Sequence, residues 1–244
     1  ACWPPPTMKP EDAPLTPPAG SRSVAVTGQR RGQRFDAQDC VAEEVPVALE
    51  YNGLSYAVMM ASPQDLEDFA LGFALSEGLA ASAADCTQIA VAEVELGWIV
   101  RAQLSGLGVD KLTERVRTRV AESSCGLCGI ENLAEVARAL PPVRAHDAID
   151  PAAIFAALAA LRDHQPLTRA TGAAHAAAWV APDGTIGCTR EDVGRHNAMD
   201  KLIGAMARAG DDPGRGFVVL TSRLSAELVQ KAAIAGIGML VAVS

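Results

Sequence analysis

A chain of 244 residues that is 49% apolar, 20% charged and only 4% aromatic is a globular sequence in which alanine replaces bulk, long enough for one domain or two modest ones. Its net charge of −8 excludes a protein that coats nucleic acid, since affinity for phosphate backbones needs a basic surface, but leaves room for an arginine pocket around one small polyanion. No apolar run reaches the roughly 20 residues that span a bilayer and the start lacks the layout of a secretion signal, so a cytoplasmic protein without a membrane segment is expected.

Residues 1–30, which open "ACWPPPTMKPEDAPLTPPAG", read as a proline-rich disordered leader. The start without Met and the abrupt end at "MLVAVS" suggest a piece of a longer protein, truncated at its C-terminus. Residues 31–110 read as a small α+β domain. In "EEVPVALEYNGLSYAVMM", Val45, Val47 and Leu49 alternate before Asn52-Gly53, the pair that best tolerates positive φ in a two-residue hairpin turn. "SPQDLEDFALGFALSEGL" predicts a helix with Ser62 as N-cap, Pro63 at the first position, and Leu66, Phe69, Ala70 and Phe73 on one apolar face. "QIAVAEVELGWIVRAQL" alternates again and returns two strands to the same sheet.

Residues 111–145 form a linker that carries "SSCGLCG", a C-x-x-C pair at Cys125 and Cys128, followed by a predicted helix on Ile130, Leu133, Ala137 and Leu140. Residues 146–244 alternate helix and strand. "DPAAIFAALAALRDH" is helical, "AAHAAAWVAPDGTIGCT" is a hairpin around Asp183-Gly184, and "EDVGRHNAMDKLIGAMARAG" is a helix with a glycine stop. "GFVVLTS", "SAELVQKAAIAG" and "IGMLVAVS" then make a strand, helix, strand unit with parallel buried strands. The fold class is α/β, a larger C-terminal α/β domain beside a smaller N-terminal α+β domain.

The six cysteines include four scattered singly, which in a reducing compartment are small buried side chains. For Cys125 and Cys128 several chemistries compete. Structural zinc wants a second ligand pair, and neither the other cysteines nor the four histidines supply one at ligand spacing, so no metal is expected. A thioredoxin-like redox pair wants a buried strand ahead of the motif, where "KLTERVRTRVAESS" is highly charged. A helix start behind Cys128 favours thiolate, which points to group transfer on sulfur, with a persulfide on one cysteine and the other thiol aiding release through a disulfide. An incidental pair in a loop is the bland alternative.

A second feature is the helix in "EDVGRHNAMDKLIGAM". Its core stripe Met199, Leu202, Ile203 and Met206, run back by threes and fours, lands on Asp192, Arg195 and His196. Charge directed inward is costly unless paired or facing a cavity, so the helix start is expected to line a pocket. An arginine and aspartate paired with each other is the competing expectation. Arg190 and the first-turn amides would add positive character. Thr221, Ser222, Arg223 and Ser225 follow an apolar strand, at the strand ends where α/β sheets hold ligands, and His175 could join them. The two places together suit a phosphate-bearing molecule.

"SSCGLCG", "ATGAAHAAA", "REDVGRHNAMDKLIG" and "SRLSAELVQKAAIAGI", in that order, resemble the FdhD family of formate dehydrogenase accessory sulfurtransferases, and the likeness extends over residues 40–244. The resemblance implies a cytoplasmic homodimer that takes sulfur from a cysteine desulfurase. It passes that sulfur to a molybdenum bis(molybdopterin guanine dinucleotide) cofactor, bound as substrate, for the formate dehydrogenase catalytic subunit. It also implies Cys125 as persulfide carrier with Cys128 assisting, and a cytidine-deaminase-like fold for the larger domain. The expected cofactor-binding set is His175, Arg190, Asp192, Arg195, His196, Thr221, Arg223 and Ser225. A zinc-dependent deaminase-like hydrolase and a non-catalytic cofactor-binding chaperone are the other functions considered; an H-x-E with P-C-x-x-C, which the first would need, is absent from the sequence.

Overall fold

The Asn52-Gly53 pair closes a hairpin as its sequence demands, with φ of 53° and 78°. The computed structural model describes residues 16–106, 112, 140–144 and 148–243. Cys125, Cys128 and the predicted helix beyond them lie outside the described residues.

Strands β3 (Val45–Tyr51) and β4 (Leu54–Ala61) flank that turn, and Val47, Leu49 and Tyr51 point to one face where all three are fully buried. Helix α1 (Leu66–Ser76) crosses this face and returns the chain through β5 (Cys86–Val94) and β6 (Gly97–Leu104). β6 pairs parallel with β3, giving the order β4-β3-β6-β5, so the two predicted hairpins share one sheet. Phe69, Phe73 and Tyr56 meet edge to face in the core beneath it.

Two expectations fail here, each for a physical reason. Strand β1 (Ser21–Arg30) occupies residues assigned to the leader and pairs along its whole length with β2 (Gln33–Ala42), about a turn at Arg31 and Gly32 with φ of 49° and 84°. Only Val24 and Val26 carry apolar alternation in β1, too little to mark a strand in the sequence. Helix α1 begins at Leu66 behind Asp65, not at Ser62. Ser62 is fully buried, and its backbone and hydroxyl are engaged with residues 192, 193 and 201, so it serves a long-range junction in place of a cap.

The second sheet has the order β10-β9-β7-β8. Helices α2 (Pro151–Ala160) and α3 (Pro166–Thr171) precede β7 (His175–Val180) and β8 (Ile186–Asp192), the predicted hairpin. Helix α4 (Arg195–Ala209) ends on Gly210 in the left-handed conformation. β9 (Phe217–Leu220), α5 (Ala226–Ile234) and β10 (Leu240–Ala242) complete the unit, with β9 and β10 parallel. Val218 and Leu220 pack with α4 and α5, whereas Phe217 and Val219 pack with α2. Both faces of this sheet are therefore covered, which is why its strands read as continuous apolar runs.

The two sheets are joined through α1 and α4, whose backbones touch. A Cβ on Gly72 would collide with the Asp200 carbonyl, and one on Gly204 with the Asp68 carbonyl. Helix α4 is consequently buried all round from Asn197 to Met206. Any charge in that stretch must find its partner inside the protein.

Candidate functional site

The end of β8, the start of β7, the end of β9 and the first turns of α4 and α5 meet at one edge of the second sheet. In the β7–β8 register His175 stands opposite Asp192, and β9 runs antiparallel to β7, so the loop after Leu220 arrives beside His175. Thr221 is fastened there twice: its N–H donates to the Ala176 carbonyl at 3.0 Å and its Oγ1 accepts from the Ala176 N–H at 2.8 Å. His175 Nδ1 lies 3.4 Å from the Thr221 carbonyl. A carbonyl only accepts, so that bond requires the proton on Nδ1.

Across from them the first turn of α4 presents Arg195 and His196. His196 Nε2 lies 3.3 Å from Ser225 Oγ, the residue that begins α5. Burial, with the cations Arg195 and Lys231 nearby, pushes the His196 imidazolium down to about 4, so the ring is neutral at ordinary pH. Arg195 Nε is buried and has no hydrogen-bond partner among the described residues, a condition that costs free energy until something fills it. Arg223 is exposed on the loop between β9 and α5. His175, Arg195, His196, Thr221, Arg223 and Ser225 thus lie towards one edge of the sheet.

Asp192 and Arg190 take other positions. Asp192 is fully buried; its carboxylate pairs with Lys201 Nζ at 2.7 Å and accepts from the Ser62 and Gly194 N–H groups and from Asn197 Nδ2. It is not paired with Arg195, the other arrangement the sequence allowed. Arg190 turns to α1, where its guanidinium meets the Asp68 carboxylate at 2.8–2.9 Å and contacts Asp65 at 3.7 Å. These two residues brace the loop that carries Arg195 from behind. Burial also pushes up the thiol of Cys188, two residues before Arg190, which makes it a poor nucleophile.

Sequence reasoning missed the buried cations of this region. Lys201 also donates to the Ser62 carbonyl at 2.9 Å, tying α4 to the start of α1. Lys231 on α5 reaches both oxygens of Asp200 at 3.0 Å, Ser76 Oγ at 2.9 Å and Glu77 at 3.2 Å. Their signal was present: "AMDKLIG" and "VQKAAIAG" each set a lone lysine within an apolar helix stretch. Among the described residues no group of three His, Cys, Asp or Glu side chains is arranged to hold a metal ion, and no helix is long and apolar enough to cross a membrane. A cavity of about 500 Å³ lies elsewhere, between the C-terminal halves of α1, α4 and α5, and does not include the strand-end residues.

The sequence profile of the FdhD/NarQ family matches residues 42–244. The chain belongs to that family. Among curated relatives, the sulfur carrier protein FdhD of Cupriavidus necator is 46% identical over 243 residues, covering 100% of this chain and 84% of that protein. The sulfur carrier protein FdhD of Bordetella petrii is 49% identical over 84% of this chain and 74% of its own. A solved structure assigned as a formate dehydrogenase accessory protein, from Desulfotalea psychrophila, superimposes with a TM-score of 0.70 at 23% identity, covering 91% of this chain and 83% of that one. The mixed α/β architecture is thus shared with that protein.

Proposed function

We propose that this FdhD/NarQ chain is a sulfur carrier. It receives sulfur on Cys125 as a persulfide from a cysteine desulfurase and delivers it to a molybdenum bis(molybdopterin guanine dinucleotide) cofactor destined for the catalytic subunit of formate dehydrogenase. Family membership and the sulfur-carrier names of relatives at 46–49% identity support the role. The observation that carries the cofactor half of the reading is the strand-end cluster, where the buried Arg195 Nε has no partner among the described residues and lies beside a neutral His196 and an exposed Arg223. That donor set fits the phosphate groups of a guanine dinucleotide, because guanidinium groups bond phosphate oxygens in charge-assisted pairs.

The sulfur chemistry balances on two thiols. The Cys125 thiolate attacks the terminal sulfur of the donor's persulfide, the donor cysteine leaves as thiolate, and Cys125 becomes the persulfide. Attack by Cys128 on Cys125 Sγ then releases the terminal sulfur as hydrosulfide while a Cys125–Cys128 disulfide forms, so the two thiols supply the two electrons. A dithiol reductant restores the pair for the next cycle. Arg195, Arg223, His196, Thr221, Ser225 and His175 hold the receiving molecule meanwhile, and the chain is expected to act in the cytoplasm as a homodimer.

Incubating the protein with a cysteine desulfurase and cysteine, then recording its intact mass, tests the carrier step. The wild type gains one sulfur atom, removable by a thiol reductant, and Cys125→Ala gains none. A wild type without the adduct, or a Cys125→Ala variant that still carries it, refutes the assignment.

A further inference from the structure

Strands β1 and β2, each of 10 residues, form a two-stranded ribbon that no third strand joins among the described residues. A lone pair of strands is at best marginally stable in water, so a ribbon of this length needs a surface to lie on. Its own chain supplies little: it meets mainly α3, and of its described side chains only Cys40 is buried. The ribbon is also two-sided. Alternation and register place Val24, Val26, Phe35 and Ala37 on one face, with the Phe35 ring laid over Gly28, where any Cβ would strike it. The other face is polar, with hydrogen bonds from Ser23 to Gln38 and from Thr27 to Asp36. At the far end the turn, in the sequence QRRGQR, carries three arginines and no acid, and Arg31 and Arg34 are exposed.

A matching surface lies on the first sheet. Val47, Leu49 and Tyr51 face α1, so the alternate residues face away from it. There Val58, Ala48, Ile99 and Ala92 stand side by side across the four strands, with Met60 next to Val58 on β4. Val58 is 64% and Met60 49% exposed. The row measures roughly 15 Å at about 4.8 Å per strand, well within the roughly 34 Å length of the ribbon. At one end of this sheet the β5–β6 turn is acidic, with Glu93 and Glu95 exposed beside an equally exposed Leu96. A basic tip and an acidic turn, each next to bare apolar side chains, thus belong to the same chain.

We propose that the β1–β2 ribbon docks on the first sheet of a second copy of this chain, its apolar face on the row through Val58 and Ile99 and its Arg31 and Arg34 against the partner's Glu93 and the partner's Glu95. Each copy carries both halves of the contact, so the exchange is reciprocal and closes in a two-fold pair. The opposite charges fix which way the ribbon lies, and the apolar strip supplies the buried area. The ribbon ends at Ala42, where the match to the family profile begins, so family membership does not carry this contact. The inference rests on the homodimer reading, to which it gives surfaces, and is independent of the sulfur and nucleotide chemistry.

Sedimentation equilibrium of the full chain tests this by exchanging charges. The wild type sediments as a dimer. Arg31→Glu with Arg34→Glu, and separately Glu93→Arg with Glu95→Arg, set like charges face to face and weaken association at least roughly tenfold, while the circular dichroism of each stays that of the wild type. Val58→Glu, on the apolar row, weakens it as well. An equimolar mixture of the two charge-reversed variants restores the dimer, because each ribbon then meets a turn of opposite sign. A monomeric wild type overturns both this contact and the homodimer. A dimeric wild type whose variants associate as tightly as it does, or charge-reversed variants that stay apart when mixed, overturns the contact alone.

Discussion

Asp192 and Arg195 stand three residues apart and both carry charge inward, but one is saturated and the other is not. The Asp192 carboxylate has a lysine, two backbone amides and an asparagine around it. Arg195 keeps a buried Nε without a partner among the described residues. A buried charge whose bonds are complete holds elements together, whereas the unfilled donor is the feature on which the proposed ligand site rests. The same contrast divides Arg190, clasped by Asp68, from Arg223, exposed on its loop.

Removing one partner of the saturated pair sharpens this contrast most. Lys201→Met leaves the Asp192 carboxylate buried without its cation and is expected to cost about 3–5 kcal/mol in urea unfolding. Arg195→Met, by comparison, changes stability by less than about 1 kcal/mol. Equal losses would mean that both charges are structural. Next in size is the helix contact on which both regions depend. Gly72→Ala forces α1 from the Asp200 carbonyl and should destabilise by about 1–3 kcal/mol, visible as a lowered thermal midpoint.

A further effect is a pH slope. The folded pKa of His196, about 4, lies below its ordinary 6.5, so the unfolded chain binds the proton first as the solution is acidified. Its contribution to stability is complete above 6.5 and is lost as pH falls from 6.5 towards 4. Replacing His196 by Asn should flatten unfolding free energy against pH in that window. An unaltered slope would show that His196 titrates alike in both states.

Much of the architecture was legible because its periodicities were strong. The Asn52-Gly53 hairpin, the Met199, Leu202, Ile203 and Met206 face and the parallel β9 and β10 all follow from local pattern. The start of α1 did not, because Ser62 is a good cap by type but is claimed by residues more than a hundred positions away. For the same reason the stripe through Asp192 and Arg195 could show that charge turns inward without showing which charge would be neutralised. Lys201 settles that, and it lies on a part of α4 whose burial comes from α1 packing, which no local period encodes.

The central claim, that the unsatisfied arginine at the strand ends receives a phosphate-bearing nucleotide, is tested most directly by calorimetric titration of guanosine diphosphate into wild type, Arg195→Ala and Arg190→Lys. A lost charge-assisted bond of about 1.5–3 kcal/mol predicts roughly tenfold or greater weakening in Arg195→Ala, with Arg190→Lys near wild type. A wild type that does not bind, or an Arg195→Ala variant that binds as tightly as wild type, would contradict the account.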